Sequence, residues 1–205
     1  MKQSSYNLLP MLQSKHKSSF IYKDEELIAQ FQRGNENAYI ELVNRYRDKL
    51  INFVFGFLGD AELAEDVVQD TMLKLYEKKH YYREIAKFST WLYTIARNQA
   101  NSEFRKRKRM KISYLSQMTK QEQDYEIKDL GPDLNKKLQN QFLEKRIRNA
   151  IQKLPEHFKS VIILRDIQEL SYDTISEIVG VPLGTVKSRI NRARIQLQLE
   201  LQDLK

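Results

Sequence analysis

Apolar residues along this chain recur at intervals of three and four, and single glycines, prolines and capping residues separate the runs that carry the pattern. Asp24 is placed to cap a short helix with Leu27, Ile28 and Phe31 on one face; Gly34 ends it, and Asn35 caps the next. The second helix repeats apolar positions at Tyr39, Leu42, Val43, Tyr46, Leu50, Phe53, Val54 and Phe57, which line one side of a 3.6-residue spiral. Gly59 stops it and Asp60 caps a third, running to about Lys79. That helix divides into an apolar arc (Leu63, Ala64, Val67, Val68, Thr71, Met72, Leu75) and a polar one (Glu62, Asp66, Gln69, Asp70, Leu73, Glu77). After a loop from His80 to Phe88, Ser89 or Thr90 caps a helix through Trp91, Leu92, Ile95 and Ala96 that runs into the basic stretch 105–111.

The periodicity weakens from Ile112 to about Asn140, where Gly131-Pro132 breaks any helix and five acids face one lysine over 122–133. This stretch reads as a flexible acidic linker. Helical spacing resumes with Leu143, Ile147, Ala150, Ile151 and Leu154, and Pro155 suits the first turn of a helix carrying Phe158, Val161, Ile162 and Leu164. The pattern therefore predicts an all-α fold of two small helical domains, 23–111 and 141–205, joined by the linker 112–140. Residues 1–22 form a basic tail with little apolar periodicity, expected to be disordered. No internal repeat is present, which excludes a solenoid.

Composition narrows the chemistry. Among 205 residues there is no cysteine and there are three scattered histidines, so thiolate metal sites, thiol nucleophiles and histidine metal clusters are not expected. Six glycines and four prolines are too few for a turn-rich β fold or a glycine-rich phosphate loop. No cofactor is called for. No apolar run approaches the ~20 residues a bilayer span requires, and the first residues lack a signal-peptide core. The expectation is a cytoplasmic protein without membrane insertion. Net charge is +8, and it is unevenly spread: 81–111 holds nine Lys and Arg against Glu84 and Glu103, whereas 60–80 is acidic.

Residues 171–197, SYDTISEIVGVPLGTVKSRINRARIQL, carry a helix-turn-helix pattern. Ser171 caps a helix burying Ile175, Ile178 and Val179, Gly180-Val181-Pro182 turns tightly, and Val186, Ile190, Ala193 and Leu197 stripe a longer helix. Its opposite arc carries Gly184, Ser188, Asn191, Arg192 and Ile195, flanked by Thr185, Lys187 and Arg189. Such a face can approach base edges while its basic side chains meet phosphates. A packed helical hairpin with a solvated basic face is the alternative. In the centre, Tyr81, Tyr82, Phe88, Trp91 and Tyr93 interleave with Arg83 and Lys87 and precede Arg97, Asn98 and the basic run. Aromatics stack on unpaired bases while cations follow a backbone, although aromatics at helical spacing also fill cores. The polar arc of the third helix is either solvated or, given Leu73 among carboxylates, a partner surface. Without a companion histidine, lysine or cofactor signature, Asp66 and Asp70 do not make a catalytic pair.

AEDVVQDTMLKLYEK at 64–78, AKFSTWLYTIARN at 86–98 and LPEHFKSVIILRDIQELSYDTISEIVGVPLGTVKSRINRAR at 154–194 resemble the bacterial sigma-70 family, and the compact length is similar to its extracytoplasmic-function (ECF) group. The match covers about 24–111 and 141–200. The resemblance implies an alternative, noncatalytic sigma factor that binds core RNA polymerase, directs it to promoter DNA and helps melt the −10 element. It implies that Glu62, Asp66, Gln69, Asp70 and Leu73 dock on the β′ clamp helices, with further contact to the β subunit. It assigns −10 DNA to the specificity loop and the following helix: Tyr81, Tyr82, Arg83, Lys87, Phe88, Arg97, Asn98 and Arg105, with Trp91 mainly packing. It assigns −35 DNA to Thr185, Lys187, Ser188, Arg189, Asn191 and Arg192. The linker resembles the segment that threads the polymerase cleft, and members of the group are commonly held inactive by an anti-sigma factor. The local loop sequence around Tyr81-Tyr82 differs from the family pattern and implies its own −10 preference.

Overall fold

A computed structural model describes residues 22–115 and 132–204. The acidic run, apart from Pro132 and Asp133, and the basic tail up to residue 21 lie outside the described residues. Eight α-helices and no strand occur among the described residues. α1 (Asp24–Gln32), α2 (Glu36–Leu58), α3 (Ala61–Lys78) and α4 (Phe88–Leu115) form the N-terminal bundle. α5 (Pro132–Lys153), α6 (Glu156–Ile162), α7 (Tyr172–Val179) and α8 (Leu183–Glu200) form the C-terminal one.

Helix ends follow local chemistry in most places. Asn35 accepts the Asn37 amide at 3.1 Å, Asp60 accepts that of Leu63 at 3.1 Å, and Ser171 accepts that of Thr174 at 3.1 Å. Each such cap stabilises its helix by about 1 kcal/mol. Gly59 (φ 75°) and Gly180 (φ 68°) close α2 and α7 in the left-handed region, where a side chain is strained. Two expected starts are different. Lys23, not Asp24, precedes α1, with the Glu26 carboxylate accepting its amide at 2.7 Å. Asp24 instead accepts from Arg45 and from the Tyr46 hydroxyl, tying α1 to α2. α4 begins at Phe88 rather than after Ser89 or Thr90, because Glu25 of α1 reaches across to accept the Phe88 amide at 3.1 Å.

The expected linker is also shorter on both sides. α4 continues to Leu115, and α5 starts at Pro132, whose missing N–H costs nothing in a first turn. Pro132 thus starts a helix nine residues before the expected boundary. Leu143 and Ile147 are exposed, whereas Ala150 and Ile151 at the end of α5 and Leu154 just after it are buried. α6 widens into a single π-helical turn, Ile163–Ile167, that buries Ile163 and Leu164.

Buried aromatic rings concentrate in the N-terminal core, the C-terminal core is aliphatic apart from Phe158, and the two are continuous. Their seam is specific. Ile163 lies against Gly56, where an added Cβ would already touch its side chain at 3.4 Å. Gln152 donates to the Gly56 carbonyl at 2.8 Å, and Tyr93 donates to Gln168 at 2.7 Å. Lys159 is wholly buried with its ammonium 4.5 Å from the Phe104 ring centre and 3.1 Å from Gln152 Oε1. Burial pushes the Lys159 ammonium down to about 8, with Glu156 opposing the fall.

Candidate nucleic-acid interface

α3 owes its two-sidedness to its sequence period. Ala64, Val67, Val68, Thr71, Met72 and Leu75 are buried against α2 and α4, while Glu62, Asp66, Gln69 and Asp70 are exposed. Leu73 sits among these carboxylates and is 54% exposed. An isolated exposed leucine is ordinary, but here it has acids one turn away on the same face.

The loop after α3 starts with a 3-10 turn, Lys79–Tyr81, and is held from beneath. Gln32 donates to the carbonyls of Lys79 at 2.7 Å and Tyr82 at 3.1 Å. Two residues expected on the DNA face are buried instead. Phe88 is fully enclosed, edge-on to Tyr46. Tyr82 packs on Phe88 and Trp91 and donates its hydroxyl to the Ala86 carbonyl at 2.9 Å, which braces the loop. Its burial raises the hydroxyl to about 12, so it remains a donor at any ordinary pH. The exposed apolar side chains are Tyr81 at 77% and Ile85 at 88%. Ile85 is not among the residues expected at the site, although an isoleucine between Glu84 and Ala86 in a loop with no helical register is the signal that marks it. Arg83, Lys87 and Asn98 are exposed beside them in sequence or on the next helix.

The remaining arginines of this set turn elsewhere. Arg97 donates to the Ile178 carbonyl of α7 at 3.3 Å, and its Nε is buried with no hydrogen-bond partner among the described residues. Arg105 forms a two-pronged pair with Glu156 at 2.8 and 3.2 Å.

In the C-terminal bundle, Val186, Ile190 and Ala193 are buried as their spacing predicts, and Ser176 fixes the turn by donating to the Val181 carbonyl at 2.6 Å. Lys187, Ser188, Asn191 and Arg192 are exposed on α8, and Thr185 is half-buried. Ser188 donates to the Thr185 carbonyl at 3.0 Å, leaving its oxygen lone pairs outward. Arg189 is half-buried and turns to the seam, lining one cavity with Arg97 and Arg105. Arg194, near the far end, is committed to Asp166 at 2.6 and 3.1 Å.

An all-helical chain of two lobes, one ending in a loop that exposes Tyr81 and Ile85 and the other carrying a helix-turn-helix, has the architecture of a transcription factor. Its sequence matches Sigma-70 region 2 over residues 42–110 and Sigma-70 region 4 over 144–197. It is 34% identical to the RNA polymerase sigma-H factor of Pseudomonas aeruginosa, covering 89% of this chain and 95% of that one. It is also 34% identical to the ECF RNA polymerase sigma factor SigW of Bacillus subtilis, over 86% and 96%. A solved structure of the sigma factor RpoE with the anti-sigma factor NepR from Bartonella quintana superposes with TM-score 0.61 at 27% identity, over 80% of this chain and 96% of that one. CnrH, solved with the cytosolic domain of CnrY, shares the fold at TM-score 0.66 and 23% identity, over 88% and 97%. This chain belongs to the sigma-70 family of RNA polymerase sigma factors, in its ECF group. It is an alternative sigma factor that directs promoter-specific transcription. No described helix is long and apolar enough to cross a membrane.

Proposed function

We propose that this sigma factor holds core polymerase through the outer face of α3 and reads promoters with two separate parts, performing no bond chemistry itself. Glu62, Asp66, Gln69 and Asp70 meet the β′ clamp helices, with Leu73 as the apolar anchor at the centre of the charged patch. A desolvated apolar residue ringed by polar ones is the usual anatomy of an interface centre. The β subunit receives the C-terminal domain, and the segment joining the domains lies along the polymerase cleft.

Tyr81 and Ile85 take the role that Tyr82 cannot fill. Their exposed apolar surfaces stack on or wedge beside an unpaired −10 base, with Arg83, Lys87 and Asn98 around them, while buried Tyr82 stiffens the loop. Melting draws on the binding energy of unpaired bases and polymerase contacts. α8 enters the −35 major groove, where Ser188 and Asn191 face base edges and Lys187 and Arg192 reach phosphates. An anti-sigma protein restrains the whole; the support is that RpoE of Bartonella quintana, a sigma factor of this fold, has been solved with the anti-sigma factor NepR.

The observation that carries this reading is Leu73, exposed at 54% among the carboxylates of α3, while Val68, Met72 and Leu75 of the neighbouring positions are buried. Asp66→Arg places a cation on that face, and a mismatched charge at an interface costs several kcal/mol, so core-polymerase affinity should fall by about 100-fold or more. Binding to duplex −35 DNA should be unaltered by the same substitution. Equal core binding by Asp66→Arg and the parent chain contradicts the assignment and favours a regulator that acts on duplex sites without polymerase.

A further inference from the structure

Arg97 and Arg105 of α4 and Arg189 of α8 converge from two domains on one cavity of about 360 Å3 at the seam. A single carboxylate, Glu156, faces these three guanidinium groups, and Arg105 occupies it at 2.8 Å. Arg189 has no hydrogen-bond or ion-pair partner among the described residues, and Arg97 keeps a buried, unpaired Nε. Burial lowers the Arg97 guanidinium, Glu156 opposes that fall, and Arg189 and Arg105 press it down further. Like charges gathered in a partly enclosed space are unfavourable unless something answers them, and an unpaired buried donor adds to the cost. Guanidinium forks match the oxygens of phosphate in spacing and charge. At ~30 Å3 per water the space would hold about a dozen waters, ample for a phosphate group and its shell.

We propose that this interdomain cavity is a phosphate-oxyanion site, filled by free phosphate or by a terminal phosphate of a small metabolite, which joins the two domains in the closed arrangement. Because the arginines come from both domains, the complete site exists only when they are closed, so ligand stabilises closure by mass action. The anion site stands on the seam geometry alone. Its consequence for transcription rests on the proposed function: by holding the domains closed the oxyanion keeps Arg97, Arg105 and Arg189, which the family resemblance assigns to promoter DNA, in the seam and so opposes promoter binding.

The test uses the full chain without polymerase or DNA, so its failure leaves the sigma-factor reading untouched. Inorganic phosphate, pyrophosphate and sulfate are titrated by calorimetry at constant ionic strength. Saturable one-to-one binding of a phosphate is expected below about 10 mM. Arg97→Gln and Arg189→Gln, each checked for an intact helical spectrum, should weaken it about tenfold, the loss of one charge-assisted contact. Glu156→Gln removes the only carboxylate and should tighten it about threefold. Tighter binding of pyrophosphate than phosphate points to a metabolite's terminal phosphates, the reverse to the free ion, and sulfate binding equally well identifies a site for charge alone and overturns the phosphate assignment. The chain has no native cysteine, so labels at Asp48→Cys and Gln198→Cys report the distance between domains without background. Phosphate should enlarge the short-distance population. Absence of saturable binding, affinity indifferent to all three substitutions, or binding with no change in distance would each overturn the proposal.

Discussion

Lys187 and Arg192 of α8 and Arg97, Arg105 and Arg107 of α4 are all basic residues on helices suited to DNA, yet they end in opposite states. The first two are exposed and have no ion-pair or hydrogen-bond partner among the described residues. The other three are engaged: Arg97 with the Ile178 carbonyl, Arg105 with Glu156, Arg107 with Asp60 at 2.9 Å. Local sequence supplies charge, but partners remote in sequence decide whether it is available. Under the proposed function α8 would meet DNA with these free side chains, whereas Arg97 and Arg105 of α4 would first have to leave Ile178 and Glu156 of the C-terminal bundle.

The largest expected change comes from wedging the seam. Gly56→Leu leaves no room for Ile163, and overpacking of this kind costs about 1–3 kcal/mol. The domains should separate, measured as a longer distance between labels at Asp48→Cys and Gln198→Cys, while helix content stays unchanged. Nonspecific DNA affinity should rise as Arg97 and Arg105 are released, by up to about tenfold, with a steeper salt dependence. A closed Gly56→Leu chain would contradict the role given to the Ile163 contact.

Smaller effects separate the two basic surfaces. Lys187→Ala or Arg192→Ala should weaken duplex −35 binding by about 1 kcal/mol and reduce the salt slope by about one counterion each, in filter or anisotropy titrations. Arg105→Ala, whose charge is answered by Glu156, should alter duplex binding less. Equal losses would erase the distinction between free and engaged cations.

The smallest is a pH response. Burial lowers the Lys159 ammonium from its ordinary 10.5 to about 8, with Phe57 and Phe104 of the other bundle over it, so an arrangement that uncovers it binds more protons between those values. Raising pH from about 8 to about 10 should therefore favour the closed form, and the dependence should flatten below about 8, where Lys159 is protonated in both arrangements. Tyr93, which donates across the seam, is held up to about 12 and does not titrate in this window. Lys159→Met should flatten the pH dependence of the interdomain distance; a slope that survives the substitution assigns it to another group.

Much of the fold was legible because it is local. Alternating arcs of α3 and the stripe Val186, Ile190 and Ala193 follow the helical period, and Asn35, Asp60, Ser171 and the glycines at 59 and 180 punctuate it. The misread starts at Asp24 and Ser89 were set by distant partners, Arg45 and Tyr46 for one and Glu25 for the other, which no window of sequence contains. The same limit applies to the candidate site. Tyr81 and Tyr82 are adjacent and chemically identical, and only the packing of Phe88 and Trp91 decides which is buried. Lys159 reads as a surface lysine until Phe57 and Phe104 of the other bundle close over it.

The unequal availability of the two sets of cations is tested most directly by arginine-specific chemical modification of the free chain, with each site followed by mass spectrometry. Arg192 should react at the rate of an exposed guanidinium, and Arg97 and Arg189 about tenfold more slowly, since they must await opening of the seam. Gly56→Leu should bring Arg97 and Arg189 to the rate of Arg192 and leave Arg192 unchanged. Equal rates for Arg97 and Arg192 in the parent chain would contradict the closed seam and every consequence drawn from it.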